Sequence, residues 1–231
     1  MTPFAAYDPI AYLYDECWGQ EFAEFAQDAF RIHLGDVLPK PASVLDLCCG
    51  TGLLIAHLAT LGHNVYGVDE SSGMLEIAGK NAPQARFQQA DMAGFHWDVR
   101  FDAVVCLYNS VNHTRSAEHL QAVMASVAAH LHPAGLFLFD YAALEAFESA
   151  WEMDEEIDTE RGLETIRYLY QRSARQATCS IDQRTEIRQI PLEPEEVHRA
   201  LRLAGLTVIK EMPMAGPRPI VGRHLVLARP A

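Results

Sequence analysis

The chain of 231 residues has no long uninterrupted apolar run, and its first residues, Met1-Thr2-Pro3-Phe4-Ala5, lack the basic region and apolar core of a secretory leader. Neither a bilayer-spanning helix nor secretion is expected, and a cytoplasmic setting is. Cysteine is scarce: five residues, at 17, 48, 49, 106 and 179, with no C-x-x-C pair. Reduced thiols are the expectation, and the adjacent Cys48 and Cys49 read as small packing residues rather than a redox pair. The ten histidines are scattered and form no H-E-x-x-H, so no metal is expected. Positive charge is also short, 18 basic against 31 acidic residues for a net charge of −13. With no basic stripe interleaved with aromatics, DNA and large RNA are disfavoured as substrates, and a small molecule is favoured. No repeat or low-complexity segment is evident. A homodimer is compatible with the sequence but not specified by it.

What is present is ordinary globular composition, 49% hydrophobic and 21% charged, enough for a single domain over 1–231 with one sizeable core. Helical spacing over about 4–38 places Phe22, Phe25, Ala26, Ala29 and Phe30 on one face, an N-terminal helical lid over 1–40 closed by Pro39 and Pro41. From 41 to 144 strands expected near 43–48, 64–69, 85–90, 101–107 and 135–141 alternate with helices near 52–62, 71–80 and 116–131. This is the pattern of an α/β domain with a mainly parallel sheet and helices on both faces. After Tyr141 the rhythm becomes antiparallel, with strands expected at Thr165–Tyr170 and Ala177–Ile190. Residues 145–190 therefore read as a small inserted β cap, and the acidic run Glu152–Glu156 as its solvated surface. In 191–231 a helix from Glu193 to about Ala204 and strands at Leu206–Met212 and Ile220–Ala228 complete the sheet.

The most informative stretch is Val44-Leu45-Asp46-Leu47-Cys48-Cys49-Gly50-Thr51-Gly52, a strand, a tight small-residue turn and a helix start. Such a turn aims backbone N–H groups at a ligand, and Gly50 and Gly52 permit close approach. Asp69, closing the second strand pattern 23 positions after Asp46, has the spacing at which a carboxylate meets a ribose diol. A dinucleotide site would need G-x-G-x-x-G and would not welcome Asp46 beside a pyrophosphate, which disfavours a nicotinamide oxidoreductase.

The segment Asp46 to Gly52 resembles the first motif of the class I S-adenosylmethionine-dependent methyltransferases, departing from it at Cys48. Four further stretches are similar to that family's motifs in the same order: Gly67-Val68-Asp69-Glu70-Ser71-Ser72-Gly73-Met74, Ala90-Asp91-Met92, Phe101 to Tyr108 and Leu131 to Asp140. The resemblance implies a Rossmann-like seven-stranded sheet with an antiparallel C-terminal hairpin. It also implies S-adenosylmethionine as methyl donor, S-adenosylhomocysteine as product, and in-line transfer that needs no metal. By the same resemblance Asp46 sits near the donor's amino group and Cys48, Cys49, Gly50 and Gly52 near its amino-acid portion. Asp69, with Glu70 and Ser71, meets the ribose side, Met74 the adenine face, Asp91 and the Met92 backbone the adenine edge, and Leu107 the methyl group.

Tyr7-Asp8-Pro9-Ile10-Ala11-Tyr12-Leu13-Tyr14-Asp15 resembles the family's lid, with Tyr14 closing over the donor and Tyr7 over the acceptor; Trp18 reads as core. Tyr108, Asn109, Asn112 and His113 leave the fourth strand where the acceptor is expected, and His113, with an intrinsic pKa near 6.5, is the candidate to accept a proton or to orient the acceptor. A histidine that merely caps a helix is the alternative at this level, as an Asp46 that caps its turn and a core Met74 are for those residues. Arg167, Tyr168 and Arg172 are cap residues that face the acceptor if that face points inward. His57, His63, His119, His130 and His132 read as structural. An amine nitrogen is the favoured acceptor. Oxygen or carbon methylation, or a protein that binds the donor as a sensor or assembly partner without turnover, remains open.

Overall fold

The computed structural model describes residues 5–150, 152–159, 162–181, 185–214 and 221–231, so the expected start of the last strand at Ile220 lies outside the described residues. The sheet is built from β1 (Ser43–Leu47), β2 (Asn64–Asp69), β3 (Arg86–Gln89), β4 (Phe101–Cys106) and β5 (Leu131–Ala142). A second sheet holds β6 (Glu152–Thr159), β7 (Gly162–Gln171), β8 (Gln176–Ile181) and β9 (Thr185–Gln189), after which β10 (Leu206–Pro213) and β11 (Arg223–Pro230) return to the first. The helices are α1 (Ala11–Leu13), α2 (Gln20–His33), α3 (Leu53–Thr60), α4 (Ser72–Asn81), α5 (Ala117–His130), α6 (Leu144–Ala150) and α7 (Pro194–Leu203).

The seven-stranded sheet runs β10-β11-β5-β4-β1-β2-β3. β1 pairs in parallel with both β2 and β4, while β11 is antiparallel to β5 and to β10. Central strands such as β1, where Val44, Leu45, Asp46 and Leu47 are all buried, carry near-continuous apolar sequence because both faces are covered. One large apolar cluster, with Phe101, Phe137, Phe139, Val123 and Val127, fills the layer under α5 and α7, and a second, with Val44, Ile55, Leu58 and Phe30, the opposite layer. Chain order reverses between β1 and β4, so the loops leaving β1, β2 and β4 converge at one edge, the crevice where α/β sheets take ligands.

Three features depart from the sequence expectation. The N-terminal segment is not a uniform helix: Ala5–Ile10 is 3-10, α1 is a single turn, Tyr14–Gly19 is a π-type turn, and only Gln20–His33 is regular α-helix. Pro9, which cannot donate its backbone nitrogen, accounts for the early irregularity. The acidic stretch expected as open surface forms β6, paired antiparallel along β7; as an edge strand it tolerates the charges that hid it. β5 also begins four residues early, at Leu131, which is buried and pairs with Phe101.

Candidate functional site

Between the sheet edge, the N-terminal segment and the second sheet lies a cavity of about 270 Å³. Its floor is the turn after β1. Cys48, Gly50 and Gly52 all have positive φ, at 63°, 52° and 74°. At Cys48 this left-handed conformation stands where the resembled motif has glycine, so the side chain is accepted at a steric cost of about 1 kcal/mol. Gly52 is needed for packing, because a Cβ there would stand 2.9 Å from Ala78 Cβ on α4. At Gly50 the nearest atom to an added Cβ is Tyr14 Cε1 at 3.6 Å, so that the tyrosine ring roofs the turn.

Two carboxyl groups face this floor. Asp69, at the end of β2, accepts from Gly50 N–H and Ser71 N–H, both at 2.9 Å. Burial pushes its pKa up to about 6 despite those two donors. Asp46 is buried and receives no hydrogen bond or ion pair from any described residue. Burial, reinforced by the negative Asp69, pushes it up to about 8. A buried carboxyl without a partner at a cavity wall is a seat for a cation. Met74, 2% exposed, continues the floor from α4, whose start is capped by Ser71 Oγ accepting from Met74 N–H at 3.1 Å.

The opposite end is built around His113, on the short 3-10 turn Ser110–His113 after β4. Its Nδ1 lies 3.0 Å from the Arg188 carbonyl, which makes Nδ1 the protonated nitrogen and Nε2 the acceptor. Nε2 in turn stands 3.3 Å from the Tyr7 hydroxyl and 3.1 Å from Gln189 Nε2. Burial lowers the His113 pKa to about 4, so the intrinsic value near 6.5 that suggested a proton acceptor does not survive the fold. His113 is a neutral hydrogen-bond acceptor. Tyr7, Tyr14, Trp18 and Phe22 form an edge-to-face aromatic wall, and Phe22 stacks on Tyr108 with centroids 4.2 Å apart.

The cavity thus gathers Tyr7, Tyr14, Asp46, Cys48, Cys49, Gly50, Asp69, Met74, Leu107, Tyr108, Asn109 and His113. Gly52, Glu70, Ser71, Asp91, Met92 and Asn112 do not line it. Asp91 is held by Arg115 at 2.5 Å and His119 at 2.9 Å, and Arg115 also reaches Glu70 at 3.4 Å. Burial works to raise the Asp91 pKa, but the Ala93 N–H, His119 and Arg115 together bring it below the usual value. Met92 is buried in the core under α5. Asn112, fully buried, is a fastener: its amide donates to the Ala142 and Ile190 carbonyls at 2.7 Å each and accepts from Ala142 N–H at 2.9 Å.

Sequence reasoning did not find several wall residues. Trp18, expected as core, lines the cavity, as do Phe22, Thr51, Cys179, Ile187, Gln189 and Arg223. Of the cap candidates only Tyr168 faces inward; Arg167 and Arg172 are exposed and paired with Asp154 and Glu148. Arg223 forms a buried pair with Asp140 at 2.8 Å beside the Tyr108 ring. The alternation in β9, with Thr185, Ile187 and Gln189 buried and Glu186 and Arg188 exposed, is the signal that marks Gln189 as inward. Among the described residues no group of three or more His, Cys, Asp or Glu could hold a metal, and no helix is long and apolar enough to cross a membrane.

A mainly parallel sheet with a reversed order at β1 and β4, a glycine turn after β1 and an acid closing β2 define an α/β fold of the methyltransferase type. Residues 44–135 match the family model described as "Methyltransferase domain", and the whole chain is similar in fold to S-adenosylmethionine-dependent methyltransferases of solved structure. It is similar to the dTDP-3-amino-3,6-dideoxy-alpha-D-glucopyranose N,N-dimethyltransferase of Streptomyces fradiae, with 38% identity over 44% of this chain and 40% of that protein. To the dTDP-3-amino-3,4,6-trideoxy-alpha-D-glucopyranose N,N-dimethyltransferase of Streptomyces venezuelae the identity is 33%, over 58% of this chain and 56% of that protein. The matched regions thus span about half the length of these curated relatives. The solved structure of DesVI from Streptomyces venezuelae superposes with a TM-score of 0.75 at 25% identity, covering 96% of this chain and 98% of that one.

Proposed function

We propose that the protein transfers a methyl group from S-adenosylmethionine to an amine nitrogen of a small-molecule acceptor. The observation that carries this reading is the unpartnered, buried Asp46 and the neutral His113 Nε2 at opposite ends of one aromatic-walled cavity. When bound, S-adenosylmethionine supplies an electrophilic methyl group on a sulfonium. The residues present fit that donor. Asp46 would hold its ammonium group, Asp69 its ribose hydroxyls and Met74 its adenine face, with Asp91 and the Met92 backbone at the far adenine edge. There Asp91 is shared with Arg115 and His119.

Displacement at the methyl carbon asks the protein to align two partners and exclude water, and the rings of Tyr7, Tyr14, Trp18 and Phe22 do both while favouring a cation. His113 Nε2, facing the Tyr7 hydroxyl and the Gln189 amide, fixes both groups at the acceptor end of the cavity. With its pKa near 4 it does not strip a proton from an ammonium ion, so the amine enters neutral and the proton leaves with the methylated product. Relatives whose names specify N,N-dimethyl transfer to amino sugars support nitrogen as the acceptor atom. Calorimetry tests the donor seat: S-adenosylmethionine and S-adenosylhomocysteine bind, NAD does not, and Asp69→Ala abolishes binding. A screen of small amines, read by mass spectrometry, then finds methylated products. Absence of binding by both sulfur compounds overturns the reading, and binding without turnover of any amine overturns its acceptor half.

A further inference from the structure

Tyr108 and Asn109, between the end of β4 and the turn Ser110–His113, both hold left-handed backbone, with φ of 66° and 56°. Asparagine tolerates that conformation, but a bulky aromatic residue seldom adopts it, and two such residues in succession persist only where the surroundings hold them. Asp140 is the holder. It lies at the end of β5, it is 0% exposed, and it accepts the backbone N–H of Asn109 at 3.1 Å and that of Tyr108. Because β11 runs antiparallel to β5, its first residue, Arg223, arrives beside this carboxylate and donates from Nη2 to the other oxygen at 2.8 Å. Burial pushes the Asp140 pKa up, and the Arg223 guanidinium is the strongest influence against it. The same guanidinium stands 5.9 Å from the centre of the Tyr108 ring. That ring lines the cavity, stacks on Phe22 and meets Phe25 edge-to-face at 5.5 Å. One ion pair thus grips both the backbone and the ring of a single strained residue.

We infer that Asp140 and Arg223 are positioning residues that act through Tyr108: Asp140 holds the left-handed turn, Arg223 holds Asp140 and the ring, and the ring is thereby kept in the aromatic wall against Phe22. The two charges answer each other and are not spent on a ligand. The wall beside the site is in this way set by the strand nearest the end of the chain. The geometric half of the inference stands by itself, and its kinetic half rests on the amine reading above.

The test uses protein labelled with 3-fluorotyrosine, in which Tyr108→Phe identifies the Tyr108 fluorine signal. In Arg223→Met that signal is expected to move towards the position of an exposed tyrosine, while the signal of Tyr66, buried on β2 away from the cavity, stays in place. With S-adenosylmethionine and the primary amines glucosamine and ethanolamine, Arg223→Met is expected to lower kcat/KM for the amine on the order of tenfold, since small misplacements of an aligned partner are costly. Donor affinity by calorimetry stays within about twofold, and in a Tyr108→Leu background the same substitution costs less than about twofold, because nothing is left to position. Arg223→Lys keeps a charge beside Asp140 without the planar fork and recovers part of the loss; it carries the fluorine measurement where Arg223→Met does not fold. A Tyr108 signal that does not move in either variant overturns the inference. So do losses that add in the double variant, which would make Arg223 a direct contact of the acceptor. A donor-bound wild type silent on both amines counts against the amine reading alone, and the fluorine signal then decides this inference.

Discussion

Asp46 shows what a single buried carboxyl does to the whole molecule. An aspartate in an unfolded chain titrates near 3.9, whereas Asp46 titrates at about 8 in the fold and Asp69 at about 6. The folded chain therefore holds protons that the unfolded chain has released. The stability linked to these groups is complete below about pH 4 and is lost as pH rises through about 6 for Asp69 and about 8 for Asp46. His113 acts in the opposite sense, since its folded pKa of about 4 lies below the unfolded value and costs stability as pH falls from about 6.5. The melting temperature of ligand-free protein should fall between about pH 6.5 and pH 8, and fall less in Asp46→Asn, as thermal denaturation across that range will show. Donor binding near pH 7 should release a proton as Asp46 ionises beside the ammonium group, seen as a buffer-dependent heat in calorimetry that Asp46→Asn lacks. Because His113 stays neutral, the acid limb of kcat/KM should follow the pKa of whichever amine is methylated. Two amines of different basicity will separate that limb from any group on the protein.

Elements hold these residues by close approach and by buried hydrogen bonds. Gly52→Ala would drive a Cβ within 2.9 Å of Ala78 Cβ at a φ of 74°, prying α3 from α4. A loss of about 2 kcal/mol in denaturant unfolding, with weakened donor binding, is the expected outcome. Asn112→Ala strands the buried Ala142 N–H and Ile190 carbonyl, and a loss of about 3 kcal/mol in the same measurement is expected. Asn112 also shows where legibility ended. The strands and helices from Ser43 to His130 were readable because βα repetition forces burial on both faces, and the acid closing β2 and the glycines after β1 sit at spacings dictated by that unit. Asn112, four residues after the site-lining Tyr108, belonged to the same loop in sequence but points into the joint between β5 and β9. That direction depends on partners 30 and 78 residues away. Gln189 and Arg223 escaped for the same reason, since strands far along the chain carry them to the cavity. β6 escaped because an edge strand needs no apolar run.

In the molecule as a whole, the N-terminal segment is clipped to the second sheet and to the start of α4. The Tyr12 hydroxyl donates to Glu164 at 2.5 Å and Thr185 Oγ1 to the Ala6 carbonyl at 2.6 Å, while Asp8 accepts from Ser71 Oγ at 2.6 Å and Gly73 N–H at 2.9 Å. Opening this segment would break those clips, so a turnover limited by opening should respond to them. Raising solvent viscosity with sucrose should lower kcat in the wild type and lower it less in Tyr12→Phe.

The cavity also has two origins along the chain. Its floor comes from the contiguous stretch between Asp46 and His113, inside the matched residues 44–135, whereas its walls come from Tyr7 to Ala26 before that stretch and from Tyr168 to Arg223 after it. Heredity can therefore act on the two independently. Substitutions in the flanks would reshape the walls around Tyr7, Tyr168 and Arg223 and leave the turn after β1, Asp46 and Asp69 as they are.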